Sequence, residues 1–305
     1  MASLKNIKLK IQSYKKTGTV THAMEAVSAV KMRKSQERAL GGRSYAAAAL
    51  SILERLSGTV EIARHSLLQE RPGKTCFLMI TSDKGLAGSL NSGIIRRVER
   101  EISQRGLDKS NVVILAIGRR GGDFFANRGF DVREKYENLS DGISEADIRK
   151  VTEKILELHS AKEIGTCHVV YQNFISTFEQ QPSVRQLIPI TKNMIAEMIA
   201  GIRPVRGKYA PQKDESVHAP AFYTIEPDAD SVLAVLLPRL LNIAVFHALL
   251  ESKASEHSAR MVAMKSATDK AKEMAHLYTR QFNKVRQAAI TREVSEITSG
   301  IEAMK

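Results

Sequence analysis

From Lys208 to Ser299 the chain contains no glycine, and no proline follows Pro238. The part after Pro238, free of both helix breakers, favours α-helix, because an interior glycine costs about 1 kcal/mol and an interior proline about 3 kcal/mol. Its apolar residues are also phased. Met261, Met264, Thr268, Ala271, Ala275, Tyr278, Phe282, Val285 and Ala289 recur at alternating steps of three and four, the heptad of a coiled-coil seam. After Ala289 the frame slips by one residue, and Ile290, Val294, Ile297, Ile301 and Met304 carry it on, a change that alters the local supercoil. A helix from about Asp230 to the C-terminus has ~75 residues, which at about 1.5 Å each span about 110 Å. Such a helix must project from any globular domain.

The other end has matching texture. Met1 to Arg71 contains no proline, and its glycines are Gly18, Gly41, Gly42 and Gly58. Leu4, Ile7, Ile11 and Tyr14 follow the same spacing, and Ala23, Val27 and Val30 resume it beyond the polar patch at Thr17 and Gly18. Two long helices with narrow seams cover each other by lying antiparallel, because the intervening segment returns the chain to the same end. An ordinary helical bundle would need a third helix of similar length, and none is available.

Between the helices the pattern changes. Thr75 to Thr81 and Val112 to Gly118 are continuous apolar runs, as buried parallel strands are. Asn91 to Arg105 between them has helical spacing at Ile94, Ile95, Val98 and Ile102, which makes a strand, helix, strand unit with a right-handed crossover. Ser144 to Ser160 reads as a second helix with Ser144 as N-cap and Asp147 three residues on. A strand follows at Thr166 to Asn173. Val184 to Ile190 and Ala221 to Ile225 read as edge strands beside Pro189 and Pro220, and Arg203 to Pro220 reads as a loop. The middle is therefore a small α/β domain.

Composition narrows the partners. Lys plus Arg number 46 against 33 Asp plus Glu, a formal charge of +13, which calls for an acidic protein, a nucleic acid or an anionic surface. Lys31, Arg33, Lys34 and Arg38 crowd one end of the first seam, and Arg260, Lys265, Lys284, Arg286 and Arg292 lie along the second. Cys76 and Cys167, the only two cysteines, sit in apolar runs without metal-ligand spacing and read as buried thiols of a reducing compartment, the cytoplasm. No run reaches the roughly 18 to 20 uncharged apolar residues of a membrane span, and no apolar signal core follows Met1. The chain reads as soluble or peripheral.

The motifs that suggest chemistry fail on inspection. Pro72-Gly73-Lys74-Thr75 imitates the end of a phosphate-binding loop, but Leu68 stands where the earlier glycine belongs, and the motif leads into a strand instead of opening a helix. Thr81 to Asn91 is better placed, after a strand and before a helix, yet it lacks dinucleotide-loop spacing and reads as a tight turn. Gly118 to Asp123 reads as another turn. The histidines form no metal-ligating cluster, and no carboxylate pair or nucleophile constellation emerges. The reading is therefore no catalytic residue, no cofactor and no metal.

Ala23 to Gln36 (AMEAVSAVKMRKSQ) resembles the N-terminal signature of F-type ATP synthase gamma subunits. Ile80 to Asn91 (ITSDKGLAGSLN) is similar to the loop after that family's first central strand, and Ser255 to Met264 with Asn283 to Glu293 resembles its C-terminal signature. The resemblance implies an α/β fold in which a long antiparallel coiled coil is joined to a Rossmann-like foot. It divides the chain into an N-terminal helix over 1–71, the foot over 72–226 and a C-terminal helix over 227–305. It implies a non-catalytic rotor shaft of the F1 sector at the cytoplasmic face of the inner membrane, peripheral, linking proton transport to ATP synthesis. The implied partners are the alpha and beta subunits, the epsilon subunit and the membrane c-ring. Carried over by motif, Met24, Lys31 and Arg33 face an acidic loop of a beta subunit, and Arg260, Gln287, Thr291 and Glu293 contact the surrounding ring. Two other readings compete: a basic coiled-coil protein that binds nucleic acid with steep salt dependence, and a small α/β enzyme holding a nucleotide near Gly85 to Asn91.

Overall fold

The computed structural model describes residues 4–41, 65–191 and 228–304. The sequence-based strand at Ala221 to Ile225, the loop at Arg203 to Pro220 and the N-terminal helix beyond residue 41 as far as residue 64 lie outside the described residues. The chain divides into two compact units, Val30–Ala259 and Met1–Ala29 with Arg260–Lys305. Two long helices, α1 (Leu4–Gly41) and α5 (Ala229–Ala303), contribute to both.

In the larger unit the chain runs β1 (Lys74–Ile80), α2 (Leu90–Gln104), β2 (Val112–Ile117), α3 (Arg119–Ala126), β3 (Asp131–Tyr136), α4 (Glu145–Ser160), β4 (Ile164–Phe174) and β5 (Gln180–Ile188). The sheet order is β3-β2-β1-β4-β5. The first four strands are parallel and β5 is antiparallel to β4. Central strands of such a sheet are buried on both faces, and Cys76 to Ile80 and Val112 to Ile117 are accordingly buried throughout. Alternation divides them between two cores. Cys76, Leu78, Ile80, Val113, Leu115, Cys167, Val169 and Tyr171 pack with Ile148, Val151 and Ile155 of α4 and with Leu233 to Leu249 of α5. Phe77, Met79, Ile114, Ala116 and Val170 pack with Ile94, Val98 and Ile102 of α2 and with Phe125 of α3.

Cys76 and Cys167 are register partners on β1 and β4. Both are free and buried, and the hydrogen bond that the Cys167 thiol donates to Cys76, together with burial, raises it well above its ordinary value.

Local signals explain several boundaries. Ser144 caps α4 as its sequence suggests: Ser144 N donates to Asp147 Oδ2 at 3.0 Å, and Asp147 N donates to Ser144 Oγ at 3.4 Å. Such a capping box contributes about 1 kcal/mol. The expected turn at Gly118 to Asp123 is instead the start of α3. Gly118 has φ +90, and a Cβ there would lie 2.1 Å from the Thr81 carbonyl oxygen, while a Cβ on Gly121 would lie 2.5 Å from Met79 Cε. These glycines admit a helix pressed close to the sheet, a packing need that turn statistics do not see. Strand β3 also escapes the sequence reading because Asp-Val-Arg-Glu-Lys-Tyr is charged. It is an edge strand, and charges on an edge discourage pairing with another chain. Arg133 joins Glu163 at 2.8 Å and Lys135 joins Asp123 at 2.7 Å.

α5 accommodates Pro238 in its first third. By length and hydropathy it contains a window apolar enough to cross a membrane, of which 56% is buried within the fold. The burial of Leu233, Leu237, Leu240, Leu241, Val245 and Leu249 against α4 and the sheet accounts for that hydropathy. Two polar bonds set the register of this contact: Thr152 Oγ1 donates to Asn242 Oδ1 at 3.0 Å, and Asn242 Nδ2 donates to Glu145 Oε1 at 3.2 Å.

In the smaller unit α1 and α5 run antiparallel. Tyr14 stacks on Tyr278 with centroids 5.5 Å apart, and Thr21 Oγ1 lies 2.6 Å from Thr268 Oγ1. The C-terminal heptad from Met261 to Ala289 faces inward, with Met264, Thr268, Ala271 and Ala275 buried. The α1 seam holds as expected at Leu4, Ile7, Ile11 and Tyr14 but then departs from the expected course. It continues through Gly18, Thr21 and Ser28, whereas Ala23 is exposed and Val27 and Val30 are 55% and 56% exposed. Gly18 faces Ala271, with a Cβ there reaching only 3.6 Å from the Ala271 Cβ. Helices this close leave room for glycine and small hydroxyl residues but not for valine. Thr21 Oγ1 donates to Thr17 O at 3.0 Å and Ser28 Oγ to Met24 O at 2.7 Å, so their burial leaves no polar group unsatisfied.

The slipped frame differs again. Ile290, Val294, Ile297 and Ile301 are 52%, 54%, 62% and 57% exposed. The Tyr14–Tyr278 register sets Leu4 beside about residue 288, so the described part of α1 ends where the slip begins.

Candidate functional site

The loop that leaves β1 is the better placed candidate for anion binding, and the side chains at its two ends are engaged within the protein. Ser82 N donates to Asn91 Oδ1 at 2.9 Å, and Asn91 Nδ2 donates to Ser82 Oγ at 2.8 Å. Asp83 accepts from Arg119 N at 3.0 Å and from Asn138 N at 3.0 Å, so the protein's own carboxylate sits at the N-terminus of α3, where a ligand anion would bind. The turn ties β1 to α3 and to the segment after β3. Lys74 and Thr75 of the phosphate-loop imitation lie in β1 itself. Among the described residues no three His, Cys, Asp or Glu side chains are grouped to hold a metal.

Polar side chains converge instead on the loop between β3 and α4. Asp141 Oδ2 accepts from Lys31 Nζ at 2.7 Å, and Asp141 Oδ1 accepts from His257 Nε2 at 3.0 Å. Lys253 Nζ lies 4.0 Å from Asp141 Oδ1 and donates to Leu139 O at 3.4 Å. Arg38 Nη1 donates to the Asp141 carbonyl oxygen at 2.5 Å. Partial burial favours the neutral acid, but the bond from Lys31 and the charges and bonds of His257 and Lys253 outweigh it and hold the Asp141 carboxyl below its ordinary value. It is a carboxylate, so the proton between it and His257 resides on the imidazole. Sequence reasoning missed this cluster because the three segments it joins are more than a hundred positions apart and no local pattern links them.

A second cluster is buried between α5 and the edge of the sheet. Glu251 Oε1 lies 3.5 Å from His247 Nδ1, and Glu251 Oε2 lies 4.0 Å from Arg185 Nη2. The Arg185 guanidinium stands 5.0 Å from the Tyr171 ring centroid. Burial pushes the Glu251 carboxyl up to about 7, against the opposing pull of Arg185 and a hydrogen bond from Tyr171.

The residues carried over by resemblance do not form one pocket. On α1, Met24 is half-buried while Lys31 and Arg33 are exposed. Helical geometry puts Met24 and Lys31 on one face and Arg33 on the other side. On α5, Arg260 is half-buried, while Gln287, Thr291 and Glu293 are exposed. Thr291 Oγ1 donates to Gln287 O at 3.0 Å, so these two share a face and Glu293 points elsewhere. The seven residues are spread along two helices, and Lys31 already has an anionic partner within its own chain.

An antiparallel two-helix coil and a five-stranded sheet with helices on both faces place the chain in the class of proteins that pair a long two-helix coil with an α/β domain. The sequence matches the family profile described as ATP synthase over residues 3–304. It is 37% identical over 306 residues to the ATP synthase gamma chain of Pelotomaculum thermopropionicum, covering 100% of both chains. It is also 37% identical over 305 residues to the ATP synthase gamma chain of Heliobacterium modesticaldum, again covering 100% of both. Among solved structures it resembles a chain of the Euglena gracilis mitochondrial ATP synthase assembly of OSCP, F1 and c-ring, with a TM-score of 0.64, 16% identity and coverage of 99% of this chain and 94% of that one. The chain belongs to the ATP synthase gamma chain family.

Proposed function

We propose that this chain is the central rotor shaft of the F1 sector of an ATP synthase, carrying c-ring rotation to the catalytic beta subunits, or the reverse during ATP hydrolysis. The observation that carries the reading is the full-length match to gamma chains together with the antiparallel seam of α1 and α5. The chain is a non-catalytic member of a membrane-associated complex, with the alpha, beta and epsilon subunits and the c-ring as its partners. Rotation changes which catalytic subunit meets which face of the shaft, so each is biased in turn between conformations, a population shift imposed mechanically.

Residues 72–226 serve as the foot, and 1–71 with 227–305 as the shaft. The complex lies on the cytoplasmic face of the inner membrane, to which this chain is peripheral. Met24, Lys31 and Arg33 approach an acidic beta-subunit loop, and Arg260, Gln287, Thr291 and Glu293 contact the ring. The exposed stripe Ile290, Val294, Ile297 and Ile301 supports burial of the far end of α5 by the ring, since a continuous apolar stripe marks an interaction surface. The charge of +13 matches acidic partner loops, and the family match lends nothing to the nucleic-acid alternative. Copurification tests the reading: the chain should be recovered in a complex that hydrolyses ATP and show no turnover alone. Turnover by the isolated chain, or tight salt-dependent DNA binding as a monomer, would refute it.

A further inference from the structure

We propose that Asp141, on the loop between β3 and α4, is a positioning residue that locks both long helices to the α/β domain and so carries torque between foot and shaft; this rests on the rotor reading above. The donors that reach this loop come in two pairs. Lys31 and Arg38 are seven positions apart on α1, two turns along one face, and bond to the Asp141 carboxylate and carbonyl respectively. Lys253 and His257 are four positions apart on α5, one turn along one face, and reach the Leu139 carbonyl and the Asp141 carboxylate. One short loop therefore accepts from two helices at once.

The domain also holds α5 through the apolar contact from Leu233 to Leu249 and through the bonds of Asn242 to Thr152 and Glu145, of Ser255 to the Gln172 carbonyl and of Ser258 to the Thr177 carbonyl, but none of these reaches α1. Apolar contacts resist separation but are non-directional. Charge-assisted hydrogen bonds fix geometry, and a rotating joint needs that property against shear. Asp141, together with Glu256 at 3.9 Å from Lys253 Nζ, is also the anion that lets Lys31, Lys253 and Arg38 lie near one another. With a neutral side chain there, like charges on the two helices face each other across the loop. Lys31 thereby acquires a role inside the chain, different from the beta-subunit contact that the family resemblance implies.

The test uses the assembled membrane complex, measuring ATP hydrolysis and ATP-driven proton pumping on the same vesicles. Asp141→Asn should leave hydrolysis near wild type while lowering protons pumped per ATP by about threefold, the scale of one modest charge pair. Asp141→Glu should restore the ratio. Lys31→Gln should lower the ratio as well, and the Lys31→Gln, Asp141→Asn double variant should lose no more than the worse single variant, because both remove one interaction. A wild-type ratio in Asp141→Asn, or additive losses in the double variant, would overturn the proposal. If Asp141→Asn does not assemble, Lys31→Gln with and without Asp141→Glu decides it: an unchanged ratio in Lys31→Gln refutes the latch. Absence of hydrolysis in the wild-type complex would instead refute the rotor reading.

Discussion

Replacing Glu251 with glutamine tests the buried cluster at the edge of the sheet, and the direction of the effect follows from the titration. Burial pushes the Glu251 carboxyl up to about 7 in the folded chain, against its ordinary 4.5. Between those values the folded state keeps a proton that the unfolded state releases. The stability contributed by the neutral acid is complete below the unfolded value, falls as pH rises, and is gone once pH passes the folded value. At about 1.36 kcal/mol per pH unit, the interval corresponds to about 3 kcal/mol. Glutamine has nearly the same size, donates and accepts, and cannot ionise. Urea denaturation of the full chain, followed by circular dichroism at about pH 4 and about pH 8, isolates this slope. Whatever offset the two proteins show in acid, Glu251→Gln should gain about 3 kcal/mol relative to wild type by the alkaline end. Parallel stability curves would show that Arg185 and His247 compensate the charge fully, and would refute the assignment of burial as the dominant cause.

Other outcomes follow from the same structure. Gly118→Ala should destabilise the α/β domain by about 3 kcal/mol or more in thermal melts, because φ +90 and the Thr81 carbonyl at 2.1 Å both exclude a methyl group. Gly18→Ala should instead stabilise the chain by about 1 kcal/mol, since its methyl meets Ala271 at an ordinary 3.6 Å and alanine is the better helix former. Truncation before Ala288 should reduce coupling of hydrolysis to pumping while leaving the melting of the α/β domain unchanged, and equal losses in both would contradict the assignment of that segment to the shaft.

The parts of the fold that the sequence disclosed are those governed by local periodicity. The runs at β1, β2 and β4, the spacing of α2, the Ser144 cap and the Met261 to Ala289 heptad all repeat over a few residues, and each appears where its pattern places it. The α1 seam leaves its apolar pattern beyond Tyr14 because close helix approach there selects for size over hydrophobicity. Gly18, Thr21 and Ser28 keep the heptad phase, so a scan for small residues at that spacing would have found them. α3 and β3 were hidden for opposite reasons, glycines that serve packing in one and edge charges in the other. For the candidate site, the family motifs point to Met24, Lys31, Arg33, Arg260, Gln287, Thr291 and Glu293 as subunit contacts, whereas the ties from Asp141 to Lys31 and His257 are products of tertiary folding alone.

The uncovered stripe from Ile290 to Ile301 also bears on how such a chain is made. A helical segment whose apolar side has no counterpart among the described residues calls for one in another chain, and until then it remains adhesive. Newly synthesised copies should therefore associate through this end when partner subunits are scarce, and remain apart when the partners are in excess. The order and stoichiometry of subunit production would then matter as much to the yield of functional complex as the intrinsic stability of the chain.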